Sequence, residues 1–266
     1  MMVFSRQAWG QLIGPSLVAL ACAALIGATQ LPQLRRISTK TSTAPVAVLE
    51  RELAAEKVRL NLLEKLPTFG FSNLLADWVF LNFLQYFGDD EAREKTGYEL
   101  SPEYFEVVLS RDPYFLDGYF FLSGSTALYA AMPERSVALM NQGLKQLSPK
   151  APPKSYYVWR YKGIDELLFL GDAKAAQYSF AMAAEWASTY TDPESQSIAT
   201  FSRRTSQFLA RNPRSKFAQV AAWSQVLGNA TDDRTRQIAV KRIRALGGDV
   251  ITGPDGSSRI RPPARD

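Results

Sequence analysis

Histidine is absent from this 266-residue chain, and cysteine occurs once, at Cys22. The first absence removes the usual general base, the commonest metal ligand and every Ser-His or Cys-His nucleophilic pair. The second excludes an intramolecular disulfide and any Cys-based metal site, without revealing the compartment. No phosphate loop, dinucleotide fingerprint or metal-ligand spacing is present, and no convincing strand run interrupts the middle of the chain. Enzyme readings therefore start from a poor supply of chemistry, and no catalytic residue, cofactor or metal is expected.

Charge is also missing from one long stretch. Nothing from Gln7 through Leu34 is charged, and Leu17 to Ala28 consists only of Leu, Val, Ala, Cys, Ile and Gly. A spanning helix needs roughly 20 apolar residues to cross about 30 Å of hydrocarbon, and the window from Trp9 to Leu31 meets that length. Residues 1–36 thus read as an N-terminal transmembrane anchor, with Pro15 near its start, where a helix tolerates proline, and Trp9 at the interface. The competing reading is a cleaved signal peptide, since Arg6 makes a thin positive n-region and Ala19-Leu20-Ala21-Cys22 distantly resembles a lipoprotein cleavage box. Against it, the apolar run continues past Cys22 through Ala23-Ala24-Leu25-Ile26. Arg6 stands on one side of the span and Arg35, Arg36 and Lys40 on the other, which leans toward a cytoplasmic soluble domain and leaves the orientation open.

The charges that remain are unevenly divided. Residues 203–266 hold 13 Lys and Arg against 5 Asp and Glu, while the first 202 residues hold 18 against 21. Such asymmetry points to an acidic partner, anionic lipid or nucleic acid at Arg203, Arg204, Arg211, Arg214, Lys216, Arg234, Arg236, Lys241, Arg242 and Arg244. The plain alternative is a solvated basic face. No aromatic stacking pattern or nucleic-acid motif accompanies these residues, which makes nucleic acid the weaker option.

Residues 37–47 form a polar linker, and the domain runs from 48 to 248. Helices are expected over 48–66, 72–87, 102–110, 115–131, 133–147, 155–170, 173–188, 194–210, 215–227 and 232–246. Asp112-Pro113, Ser148-Pro149, Asp192-Pro193 and Asn212-Pro213 punctuate them. Gly247-Gly248 stops the last, and residues 250–260 read as a small β-hairpin around Pro254-Asp255-Gly256. Residues 249–266 then make a C-terminal hairpin cap and tail. The expected fold class is all-α, a helical-hairpin solenoid.

Pro113 to Pro149 spans 36 residues, close to the 34 of a tetratricopeptide repeat, or TPR. Gly171-Asp172 followed by Ala176, Phe180 and Ala183 resembles the second half of a TPR: glycine for the turn, alanine for close helix approach, an aromatic to fill the groove. Trp159 and Gly163 resemble the aromatic and small residue of its first helix, with one extra residue between the halves. In the unit before, Tyr119, Leu122 and Ser123 fall where the first-helix residues belong, while Val137 and Asn141 replace the small and aromatic residues of the second helix. The resemblance is TPR-like, covers roughly residues 72–190, and speaks to fold rather than to function.

Ala76-Asp77-Trp78, Leu84-Gln85-Tyr86-Phe87, Ser101-Pro102, Tyr104-Phe105 and Asp112-Pro113 are similar in style to membrane-tethered TPR-like proteins of bacteria, including cyanobacteria. That resemblance implies a single-pass protein of a bacterial inner membrane or thylakoid that helps to assemble a membrane complex such as a photosystem. The helix carrying Trp78 is apolar around most of its circumference and is expected in the core, the other option being an interfacial helix.

Asp77, the pair Asp165-Glu166 and the run Asp89-Asp90-Glu91 read as structural rather than catalytic, because adjacent helical positions point apart. In a TPR-like array the first helices line the concave face. Tyr119, Tyr156, Tyr157, Arg160 and Tyr161 are accordingly the candidate partner-binding residues, with core packing as their alternative. The expected function is a membrane-tethered adaptor for subunits of a membrane protein complex. The alternatives are a basic module holding anionic lipid or nucleic acid, and a non-catalytic subunit of a lipid- or envelope-remodelling enzyme. Oligomeric state stays open.

Overall fold

Helix starts in this chain are largely written in its prolines and aspartates. The computed structural model describes residues 45–228, 233–252 and 258–265, together with Cys22. The expected anchor over Trp9–Leu31, most of the linker and the Pro254-Asp255-Gly256 turn lie outside the described residues. Among the described residues no helix is long and apolar enough to cross a membrane. The chain divides into two units, one of Met1–Glu52 with Asp90–Thr96 and one of Leu53–Asp89 with Gly97–Asp266.

The described residues are mostly helical. In order come α1 (Val46–Lys65), α2 (Ser72–Gly88), α3 (Asp90–Thr96), α4 (Ser101–Arg111), α5 (Leu116–Leu122) and α6 (Pro133–Leu144). They are followed by α7 (Tyr156–Asp165), α8 (Ala173–Ala187), α9 (Pro193–Arg211), α10 (Lys216–Gly228) and α11 (Asp233–Ala245). Strands β1 (Asp249–Thr252) and β2 (Ser258–Arg261) pair antiparallel, Val250 opposite Ile260. Pro102, Pro133 and Pro193 stand in the first turns of α4, α6 and α9, where a missing N–H costs nothing. The Asp172 and Asp192 carboxylates accept from the backbone N–H of Ala175 at 2.9 Å and Ser195 at 3.0 Å. Arg111 donates to the carbonyls of Leu63 at 2.8 Å and Leu66 at 2.7 Å, closing the C-terminus of α1. Helix α3 was not expected. Its acidic first turn, Asp90 and Glu91, complements the positive end of the helix dipole.

Two helices do not finish as α-helices. Beyond α5 the chain continues as a π-helical segment, Ser123–Tyr129, and beyond α7 as another, Glu166–Leu170. A π-turn absorbs residues in excess of the α-helical count, so the extra residue noted between Gly163 and Gly171 is taken up without breaking the helix. The hairpins α5–α6 and α7–α8 are one unit repeated: Leu116 and Tyr156 begin the first helices and Pro133 and Ala173 the second, both 40 residues apart. Met132 N–H donates to the Thr126 carbonyl and Asp172 N–H to the Glu166 carbonyl, each at 2.9 Å. Ala131 and Gly171 are both left-handed, with φ of 56° and 67°. The 36-residue spacing suggested by the prolines is thereby corrected to 40. The correction moves the register of α6, where Ser136, Met140 and Gly143 are buried in the places of Ala176, Phe180 and Ala183. Val137 is half-buried and Asn141 exposed.

Close approach explains the small residues. A Cβ at Gly143 would stand 1.9 Å from the Tyr119 hydroxyl, and one at Gly163 would stand 3.2 Å from the Phe180 ring. Around the first unit, α2, α4, α5, α6 and α7 share a core in which Phe83 and Phe105 meet edge to face at 4.6 Å, beside Tyr104, Leu122 and Met140. Leu167, Ala176, Phe180 and Leu209 form a second cluster. Trp223, Ala239 and Ile243 form a third, on which Val250 and Ile260 of the hairpin lean, as a two-stranded sheet requires.

The expectation that α2 is buried is corrected. It buries one stripe, Ala76, Val79, Phe83 and Tyr86, and leaves Leu74, Trp78 and Leu81 in solvent.

Candidate partner-binding surface

On α5 and α7, successive side chains project about 100° apart, so one residue of a pair faces the core and the next faces out. Tyr119 and Tyr156 take the inner places. Both are 0% exposed. The Tyr119 hydroxyl donates to the Pro113 carbonyl at 2.8 Å, and burial raises its pKa. The Tyr156 hydroxyl meets that of Ser195 on α9 at 3.0 Å. These two residues, expected on a groove, are core residues instead.

Arg160 is buried as well. Its guanidinium donates to the Ser202 hydroxyl at 2.9 Å. Burial lowers its pKa, partly offset by the surrounding Tyr157, Tyr161 and Tyr156 rings. It ties α7 to α9 and offers little cationic surface to a partner.

Tyr157 and Tyr161 remain partly open, and they stand in a row with a residue that sequence reasoning passed over. Phe120, next to Tyr119, is half exposed, and its ring lies 5.7 Å from Tyr161, which stacks on Tyr157 at 6.0 Å. The row Phe120–Tyr161–Tyr157 crosses from α5 to α7. Its far end is fixed by the Tyr157 hydroxyl, which donates to Glu194 at 2.7 Å, and by the ion pair of Glu194 with Lys154. Burial, with Asp117 nearby, pushes the Tyr161 phenol up to about 12 against the opposing effect of Arg160. Burial, and then the hydrogen bond to Glu194, raise Tyr157 too. Both tyrosines are therefore neutral near pH 7 and present apolar faces with polar tips beside the wholly apolar Phe120 ring, a composition suited to a binding hot spot. Sequence alone offers no means of separating Phe120 from Tyr119, since adjacent rings on a helix can both be buried, as Tyr104 and Phe105 are on α4.

Two carboxylates lie deeper than their sequence context suggested. Asp165 is 0% exposed and accepts from Ser123 Oγ at 2.6 Å and Ser136 Oγ at 2.7 Å. Desolvation drives its pKa up to about 7, with the two hydroxyls opposing and the charge of Glu166 adding to the rise. Glu166 belongs to a separate network: Lys162 Nζ donates to it at 2.6 Å and to Ser179 Oγ at 2.9 Å, and Ser179 donates to Glu166 at 2.6 Å. The neighbours thus point apart, as expected, and each is sealed from substrate-sized molecules. They link α7 to α5 and α6 on one side and to α8 on the other. Among the described residues no cluster of acidic or Cys side chains could hold a metal ion.

The basic region is a surface. Arg203, Arg204, Arg211, Arg214 and Lys216 are exposed, as are Arg236, Lys241, Arg242 and Arg244 on α11. Arg236 and Arg244 pair at 3.9 Å with Asp233 and Asp249. Aromatic company, not expected there, is present on α9: Phe201, Arg204, Phe208 and Arg211 recur at helical spacing and are all exposed. No family model, curated protein or solved structure matches the chain.

Proposed function

We propose that this protein is a membrane-tethered, TPR-like helical adaptor that grips a protein partner through Phe120, Tyr161 and Tyr157 and supports assembly of a membrane complex. The observation that carries the reading is the continuous aromatic row on the first helices of two successive hairpins, with Phe120 half exposed and Tyr161 and Tyr157 partly open to solvent. Rigid aromatic rings supply contact area at low entropic cost, and two hairpins repeated 40 residues apart extend it over neighbouring elements. The uncharged Gln7–Leu34 run supports the tether. Replacing Phe120 and Tyr157 by alanine should weaken capture of a membrane-protein partner in crosslinked pulldown by about tenfold or more. Thermal stability should change less than capture does, because Phe120 is half exposed and Tyr157 only borders the core. Undiminished capture by a normally stable variant rejects the reading.

One observation favours a second reading. The Phe201–Arg204–Phe208–Arg211 face of α9 suits anionic lipid or nucleic acid, and binding there should collapse as salt rises. Salt-insensitive binding to anionic vesicles and to single-stranded DNA removes it.

A further inference from the structure

Among the described residues, a run of exposed apolar side chains lies on the C-terminal part of α1, on α2 and on the turn between them, within the unit that contains Leu53–Asp89. Leu62, Leu66, Phe69, Phe71, Leu74 and Trp78 are each at least two-fifths exposed, with Val58 and Leu81 extending the face along the two helices. The two helices present one surface, because the Arg59 guanidinium of α1 sits 5.0 Å over the Trp78 ring of α2 and reaches Asn82 at 3.5 Å. At its tip the turn is ordered. Phe71 N–H donates to the Thr68 carbonyl at 2.8 Å, and the Thr68 and Ser72 hydroxyls meet at 2.7 Å. Within this closed turn Phe69 takes a left-handed φ of 49° and is 88% exposed. Such a conformation is costly for a bulky residue, and here it aims the ring outward.

Apolar patches of this extent are rare on free monomers. Phe69 stands 88% exposed at the tip of the turn between the two helices, where fluid lipid can receive it without a preformed hollow. Leu, Phe and Trp stand here beside Lys65 and Arg59, with the exposed carboxylates of Glu64 and Asp77 among them, a mixture that suits the headgroup boundary rather than the acyl core. The tether supplies the proximity. Only the 11 residues 35–45 separate the uncharged run ending at Leu34 from α1, a reach of at most about 40 Å, so the face meets the membrane at high effective concentration. We infer that the α1–α2 hairpin inserts its exposed apolar face into the lipid interface as a second, non-spanning membrane contact beside the tether.

The inference rests on the tether part of the proposed function, and the experiment separates the two. In the full chain with Cys22→Ala, single cysteines at Leu62→Cys, Leu74→Cys and, as a control on α8, Lys174→Cys carry the polarity-sensitive fluorophore NBD. Each protein is reconstituted into phosphatidylcholine–phosphatidylglycerol vesicles with and without doxyl-labelled acyl chains. At positions 62 and 74 emission should shift to the blue and lose about half or more of its intensity to the doxyl quencher, while position 174 stays water-like. Failure to float with the vesicles rejects the tether and this inference together. Flotation with unquenched probes at 62 and 74 rejects this inference alone. A blue shift insensitive to doxyl lipid assigns the face to a second copy of the chain, and quenching at all three positions assigns it to non-specific adsorption, and both overturn it.

Discussion

At the scale of single residues, Asp165 and Gly143 show how little space and water the repeated hairpins leave. The Asp165 carboxyl titrates near 4 in an unfolded chain and near 7 in the fold, so between those values the native state holds a proton that the unfolded state has lost. Its contribution is full below about pH 4 and disappears as pH rises through about 7. Asp165→Asn should abolish that slope. Denaturation measured between pH 4 and 8 should show wild type losing stability relative to the variant by as much as about 4 kcal/mol, and parallel curves would mean that the carboxyl is not desolvated. Gly143→Ala tests the packing. Its new Cβ would meet the Tyr119 hydroxyl at 1.9 Å and the ring at 2.6 Å. That hydroxyl is held by the Pro113 carbonyl. A loss of about 1–3 kcal/mol or more is expected, readable as a lower Tm, and Tyr119→Phe should not restore it because the ring carbons still clash.

At the scale of elements, the two π segments and the left-handed residues after them are the hinge of each hairpin. Gly171 meets the left-handed requirement without strain, while Ala131 meets the same requirement with a Cβ, at φ 56°. Gly171→Ala should therefore cost about 1 kcal/mol, whereas Ala131→Gly should be neutral or stabilising by up to about 1 kcal/mol. Equal and opposite effects at the two sites in urea denaturation would support the structural equivalence, and destabilisation by both would remove it. The sequence pattern came close to this repeat. Gly171, Ala176, Phe180 and Ala183 were legible, but their partners Ala131, Ser136, Met140 and Gly143 were hidden by one residue of register, since a π-turn has no propensity signature of its own.

At the scale of the whole molecule, the prediction concerns attachment. Full-length protein should stay with membranes through high-salt and alkaline washing, because an uncharged run from Gln7 to Leu34 is long enough to span. Mass spectrometry that found a mature N-terminus at Cys22 or Ala28 would reject an uncleaved anchor. Release by alkali with an intact N-terminus would reject spanning altogether. The aromatic row, the basic face of α9 and the apolar hairpin are three chemically distinct surfaces among the described residues.

Local chemistry placed most of the helices, because Pro102, Pro133 and Pro193 start them, Gly171 and Gly247 end them, and apolar periodicity runs between, while α3 and the two π segments escaped it. It was enough for a hairpin over residues 250–260 as well, whose register of Val250 opposite Ile260 came from the structure. The face each residue presents was a tertiary decision. Tyr119 and Phe120 are both aromatic neighbours on one helix, and only the crossing of α5 over Gly143 determines that Tyr119 goes inward and Phe120 outward. Trp78 and Phe83 carry equally apolar side chains on α2, yet one packs into the aromatic core and the other stays open, because the neighbouring helices cover a single stripe. Asp165 and Glu166 read as structural residues pointing apart, but their burial depends on Ser123, Ser136, Ser179 and Lys162, which arrive from other turns and helices to replace their water. Periodicity is a property of the chain alone, while burial depends on which surfaces meet.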